Sequence, residues 1–351
     1  MISQRHATRL LRLWQLPSLP KPPVGTTPAD VVWTENKLRL LRYRPRPTGI
    51  AQRQPILVVP SLINRHYVLD LMPGKSLVAW LVGEGFDVYC VDWGTPGPED
   101  AWLDVDAIVE GYLGRVLRVV GRRTRNHSGD GKVHVLGYCM GGMFTAMLAA
   151  RDPARVASLV ALAAPIRMAG DPGLLRAWAT TPTLDVDGLV AATGLVPWQL
   201  LQSAFHMLRP TLQVSRVVHL VDRAWREEFL EGHLAMETWA NDNVSLPGAF
   251  FSGYIGEIYR NDALARGTLL LGGEPCSLTK VVAPTLAVIF RDDHIAPAES
   301  CRALLELVSS ERRECLELGG SHVGGVVSKA ASKSLWPKLA AFWRQCELAP
   351  F

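Results

Sequence analysis

The chain has 351 residues, 48% of them hydrophobic and 20% charged, which suits one large elaborated domain and excludes a disordered chain. Its 37 basic and 33 acidic residues leave a formal charge of only +4, so there is no nucleic-acid footprint. Six cysteines without a CxxC pair exclude a zinc cluster and a disulfide framework, and fit reduced thiols in a cytoplasmic protein; no metal site is expected.

The first residues, MISQRHATRLLRLWQLP, interrupt their apolar positions with Arg5, Arg9 and Arg12 and are no secretory signal. Residues 5–16 have the spacing of a short amphipathic helix, with Leu10, Leu13 and Trp14 set against arginines, able to rest on a lipid or polymer surface. The plainer alternative is a loosely ordered terminus. Pro17–Pro28 then separates this leader from the body. Two β-rich runs, Val31–Trp33 and Leu38–Tyr43, precede Pro55–Pro60, a continuous apolar run of the kind needed by a strand buried on both faces. A helical pattern over Lys75–Glu84, a buried strand over Phe86–Trp93 and a longer helix over Trp102–Arg122 follow. The polar loop Asn126–Gly131 leads to strand Val133–Gly137, helix Met140–Arg151 and strand Val156–Leu162.

This alternation predicts an α/β fold with a mostly parallel central sheet flanked by helices, its sites at the carboxyl ends of strands. From Ile166 to Cys276 the alternation stops in favour of helical, tryptophan-rich text (Trp178, Trp198, Trp225, Trp239), which predicts an inserted helical cap. The sheet pattern resumes at Pro284–Phe290, then helix Ala298–Leu307, strand Glu314–Leu318 and helix Ser334–Gln345. The expected division is a leader over 1–26, a first core part over 27–165, the cap over 166–276 and a second core part over 277–351. The longest apolar stretches, such as Val156–Ile166, are too short to span a bilayer, so no transmembrane segment is expected.

Between a buried strand and a helix stands Gly137-Tyr138-Cys139-Met140-Gly141, the G-x-S-x-G nucleophile elbow with cysteine in place of serine. A side chain at so sharp a turn is held in a strained conformation, and the flanking glycines remove Cβ atoms that would clash. The backbone N–H of Met140 and the start of the helix then face the same space and can hold an oxyanion. The bland alternative, a buried inert cysteine, describes Cys90 better than Cys139.

In this order of elements an acid and then a histidine follow the nucleophile, each on a loop after a late strand. Arg291-Asp292-Asp293-His294 follows one strand and Gly319-Gly320-Ser321-His322 the next. Cys139, Asp293 and His322 thus form a chemically complete triad, although spacing alone barely separates Asp293 from Asp292. The second oxyanion donor is expected from the loop after Pro55–Pro60, as the backbone N–H of Leu62 or Ile63. Asn64, Tyr67, Trp239 and His294 are the candidates for the substrate pocket.

The runs TPADVVWTENKLRLLRYRP (27–45), PSLINRHYVLDLMPGKSLVAWLVGEGFDVYCVDWG (60–94), GYCMGG (137–142), METWANDN (236–243), RDDHIAP (291–297) and GGSHVGG (319–325) resemble the polyhydroxyalkanoate synthases of the α/β-hydrolase superfamily. The short leader before Thr27 is similar to the class III catalytic subunit. The resemblance implies Cys139, Asp293 and His322 as catalytic residues, with the aspartate next to His294 as the acid. It also implies a soluble homodimer working with a non-catalytic synthase subunit at polymer granules, 3-hydroxyacyl-coenzyme A as substrate, a polyester chain as product and no bound cofactor. In that chemistry Cys139 takes the acyl group from coenzyme A and a hydroxyl of the growing chain attacks the new thioester, while the tryptophan-rich cap excludes water. A (thio)esterase or polyester hydrolase using the same triad is the alternative enzyme.

Overall fold

The computed structural model describes residues 4–208 and 210–348, side chains at 4–7, 9, 10, 17 and 210–214 excepted. Its strands are β1 (Ala29–Glu35), β2 (Leu38–Tyr43), β3 (Ile56–Val59), β4 (Val88–Asp92), β5 (Val133–Tyr138), β6 (Val156–Leu162), the two-residue pieces β7 (Leu195–Val196), β8 (Leu246–Pro247), β9 (Leu270–Leu271) and β10 (Glu274–Pro275), then β11 (Thr285–Phe290) and β12 (Arg313–Leu318). Eight of them form one sheet in the order β1-β2-β4-β3-β5-β6-β11-β12. From β4 to β12 every neighbouring pair is parallel, and the β1–β2 hairpin joins as the antiparallel edge. The mostly parallel α/β sheet expected from the alternation is therefore present, in the α/β-hydrolase arrangement that the resemblance implies.

The continuous apolar text of the central strands is divided between the two faces by the period of two. Leu57 and Val59 of β3, Tyr89 and Val91 of β4, and Val133 and Val135 of β5 share one core with α4 (Met140–Arg151) and the helix before β5. Ile56 and Val58, Val88 and Cys90, and Leu136 and Tyr138 face the other core, closed by α2 (Leu77–Gly83) and the carboxyl-terminal helix Trp336–Leu348. The Phe86 and Trp343 rings meet edge to face there at 5.6 Å between centroids.

Two elements differ from expectation. The helix predicted over Trp102–Arg122 begins with a π-helical segment, Ala107–Leu113, whose wider turn brings Ile108, Val109, Tyr112 and Leu113 all inward. It then continues as α3 (Gly114–Ser128) through the expected polar loop, and ends only where Gly129 adopts φ 82°. Within the insertion, α5 (Leu174–Ala179), α6 (Val186–Thr193), α7 (Trp198–Leu208), α8 (Pro210–Arg223) and α9 (Glu227–Ala240) are separate short helices. After Ala240 the chain re-enters the main body: Leu246, Phe250, Ile255 and Ile258 are buried with Phe144 and Ile108. These later apolar residues fill the core.

The leader forms the helix α1 (Gln4–Gln15), which packs on α8 and places Arg12 3.6 Å from Glu227. Trp14 and Leu11 are exposed. The side chains of Arg5, Arg9 and Leu10, part of the expected amphipathic surface, lie outside the described residues. No described helix is long and apolar enough to cross a membrane.

Candidate active site

The end of β5 turns into α4 through Cys139, at φ 56° and ψ −126°. Such a backbone costs of order 1–3 kcal/mol for a residue with a Cβ and persists only where its surroundings impose it. Here the imposition is visible: the Cys139 N–H donates to Leu162 O at 2.9 Å, and its carbonyl accepts from Gly142 N at 2.9 Å. As the first residue of α4, Met140 has an N–H without an intrahelical partner, the donor expected for an oxyanion.

The loop after β12 brings His322 to this turn, and the loop after β11 brings Asp293 behind it. His322 Nδ1 and Asp293 Oδ2 are 2.6 Å apart, both side chains buried. The other oxygen of Asp293 accepts from Ile295 N at 2.8 Å and Ala296 N at 2.9 Å, which fixes the carboxylate. Asp292, the competing acid, is exposed and braces the histidine loop through Gly320: its Oδ2 accepts from Gly320 N at 3.2 Å, and its N–H donates to Gly320 O at 3.2 Å. Burial disfavours the His322 imidazolium, but the charge of the adjoining Cys139 sulfur and the hydrogen-bonded Asp293 carboxylate outweigh burial and push the ring up to about 10.

A cavity of about 250 Å³ opens over Cys139, walled by Ile63, Trp198, Leu201, Phe205, Trp239 and Val323 among others. Of the pocket candidates, Asn64, Trp239 and His294 line it. Tyr67 is placed outside the lining, with its hydroxyl donating to Asp242 Oδ2 at 2.7 Å. Of the four cap tryptophans, Trp198 and Trp239 reach the cavity and Trp178 and Trp225 do not. Ile63 lies on the cavity wall with its N–H 3.4 Å from Ser61 Oγ, whereas the Leu62 side chain packs in the core. Sequence reasoning passed over Tyr138: its ring lies tilted against His322 with centroids 5.2 Å apart, and its hydroxyl donates to His322 O at 3.2 Å. The only signal for it was its place beside the nucleophile.

Residues 54–327 match the family described as alpha/beta hydrolase fold, and residues 22–81 match the amino terminus of poly-beta-hydroxybutyrate polymerase (PhaC). The poly(3-hydroxyalkanoate) polymerase subunit PhaC of Allochromatium vinosum is 34% identical over 90% of this chain and 88% of its own length. The chain belongs to the poly(3-hydroxyalkanoate) polymerase family. These polymerases are acyltransferases. The polymerase subunit PhaC of Haloferax mediterranei is also 34% identical, over 92% of this chain, which spans 65% of that relative's length. Among solved structures, the monoacylglycerol lipase of Paleococcus ferrophilus superposes with a TM-score of 0.54 at 18% identity, covering 89% of this chain and 100% of the lipase. That likeness bears on the fold alone.

In this polymerase-family chain the raised His322 value rests on its neighbour's charge, which gives a direct test. With Cys139→Ala the raising effect of the sulfur is gone, burial regains weight, and the His322 titration falls by about 1–3 pH units. NMR of ring-labelled histidine reads this; an unchanged midpoint would show that the sulfur and the ring do not interact.

Proposed function

We propose that the chain polymerises 3-hydroxyacyl groups from their coenzyme A thioesters, with Cys139 carrying the acyl group. The observation that supports it best is the buried His322–Asp293 pair set against a cysteine, beneath a cavity whose walls are largely apolar. The Cys139 thiolate adds to the thioester carbonyl, the bond to coenzyme A breaks, and the departing thiolate takes the proton from the His322 imidazolium. One thioester replaces another, so the acyl group stays activated. Neutral His322 then accepts the proton of a 3-hydroxyl as that oxygen attacks the acyl carbon; an ester forms, and the thiolate and imidazolium are restored. Asp293 holds the ring tautomer throughout.

Water in place of the hydroxyl would give a hydrolase, and the apolar lining, with Trp198 and Trp239, favours the polymerising outcome by limiting water. The same reading takes the protein to act as a homodimer at the granule surface in the cytoplasm, together with a non-catalytic subunit.

Product analysis with 3-hydroxybutyryl-coenzyme A, with and without a candidate partner subunit, decides between these outcomes. Insoluble polyester with stoichiometric coenzyme A release is expected; free 3-hydroxybutyrate as the sole product would make the chain a thioesterase.

A further inference from the structure

The loop that follows β3 carries the expected second oxyanion donor, and within it the Ile63 N–H donates to Ser61 Oγ at 3.4 Å. It is held from outside, by the segment that ends α9. Trp239 Nε1 donates to Arg65 O at 3.0 Å, and Val244 N donates to Ile63 O at 3.2 Å. Asn64 donates its side-chain amide to Asn243 Oδ1, and the two residues also form a β-bridge. At the centre is Asp242. One of its oxygens accepts from Arg65 Nε at 2.9 Å and the other from the Tyr67 hydroxyl at 2.7 Å. Arg65 in turn donates from Nη1 to Gly94 O at 3.0 Å, so it spans from the cap's base to the loop after β4.

We infer that Asp242 is a positioning residue that fixes the oxyanion loop over Cys139 through Arg65 and Tyr67. The inference rests on the acyl-transfer reading of Cys139. None of the three side chains lines the cavity, although Ile63, Asn64, Trp239 and Asn243 around them do. Their effect therefore reaches the reaction through the backbone at residues 62–64. That backbone must present an N–H where negative charge develops on the thioester oxygen, and a displacement of about 1 Å there is enough to cost about 100-fold in rate. The clamp also joins the oxyanion loop to the cap, because the turn that Asp242 follows is held by α7: Gln202 Nε2 donates to Ala240 O at 3.1 Å.

Two reactions of the same sulfur separate positioning from general disruption. Acylation by a coenzyme A thioester passes through a tetrahedral oxyanion; alkylation by iodoacetamide does not. In Asp242→Ala, single-turnover acylation by 3-hydroxybutyryl-coenzyme A falls by about 100-fold, while the alkylation rate of Cys139 stays within about twofold of wild type. Tyr67→Phe, which removes one of the two bonds and keeps the ring, falls in the same direction by less. Equal acylation rates in wild type and both variants would overturn the inference, as would acylation and alkylation falling together in both variants, the mark of a merely structural role. A wild-type protein that alkylates but releases no coenzyme A would instead overturn the acyl-transfer reading, and the role of Asp242 with it.

Discussion

Replacing Cys139 by alanine is expected to lower coenzyme A release from 3-hydroxybutyryl-coenzyme A by about 10⁴-fold or more, while leaving the fold intact. The size follows from chemistry. On the proposed mechanism no covalent intermediate forms without the sulfur, and His322 and Asp293 have nothing to activate; removing one member of such a unit costs nearly as much as removing all. The fold survives because alanine keeps the Cβ, and therefore the same steric preference, at a position whose φ of 56° is already imposed by the bonds to Leu162 and Gly142. Thermal unfolding should shift little, since the half-buried side chain lines the cavity. Chromatographic quantification of coenzyme A, beside a melting curve, checks both halves. Release by the alanine variant at a rate near wild type would remove Cys139 from the mechanism.

Gly141→Ala is expected to be among the most damaging of the conservative substitutions, destabilising the protein by about 3–5 kcal/mol or preventing its folding. The first turn of α4 lies directly on the end of β3. A Cβ on Gly141 would stand 2.7 Å from Pro60 O and 2.8 Å from the carbonyl carbon of Val59, and closer still to Val59 O. These are backbone atoms of a strand paired on both sides, by β4 and β5, so neither partner has room to withdraw. Opening the contact would lift the helix that carries the Met140 N–H, and activity should fall with stability. Denaturant unfolding of purified protein measures the loss; a variant as stable as wild type would mean that α4 does not press on β3 in solution. The same sheet position explains why Cys139 is presented at all, because the closeness of α4 and β3 is what forces the turn between β5 and α4 to be so sharp.

Much of this was legible beforehand for one reason: strand periodicity and elbow spacing are local properties of the chain. The apolar runs of β3, β5, β6 and β11 have one available fate, burial on both faces, so the parallel sheet could be read from them. The boundaries of α4, β6 and the helix Ala298–Leu307 coincide with those expected. The extension of α3 to Ser128 was less legible, since polar residues at the end of a helix look like a loop until a capping glycine is located.

The separation between the two acids shows where local reasoning stops. Asp292 and Asp293 are adjacent, equally charged and equally placed after β11. Yet β11 ends at Phe290 and the chain turns there, with the Asp293 N–H donating to Phe290 O, so that the buried Asp293 reaches His322 while the exposed Asp292 is tied to Gly320. Tyr67 and Asp242 make the same point over a longer distance. They are 175 positions apart, and only the return of α9 to the β3 loop brings them together.

The sequence by itself determined the sheet, the strained turn bearing Cys139, and the loops after β11 and β12 that carry Asp293 and His322, because each is written within a few neighbouring residues. The tertiary structure alone decided which carboxylate meets His322, which tryptophans face the cavity, and what holds the loop after β3. Those outcomes depend on the approach of segments distant along the chain, and the free energy of such contacts leaves no periodic or compositional trace in either partner.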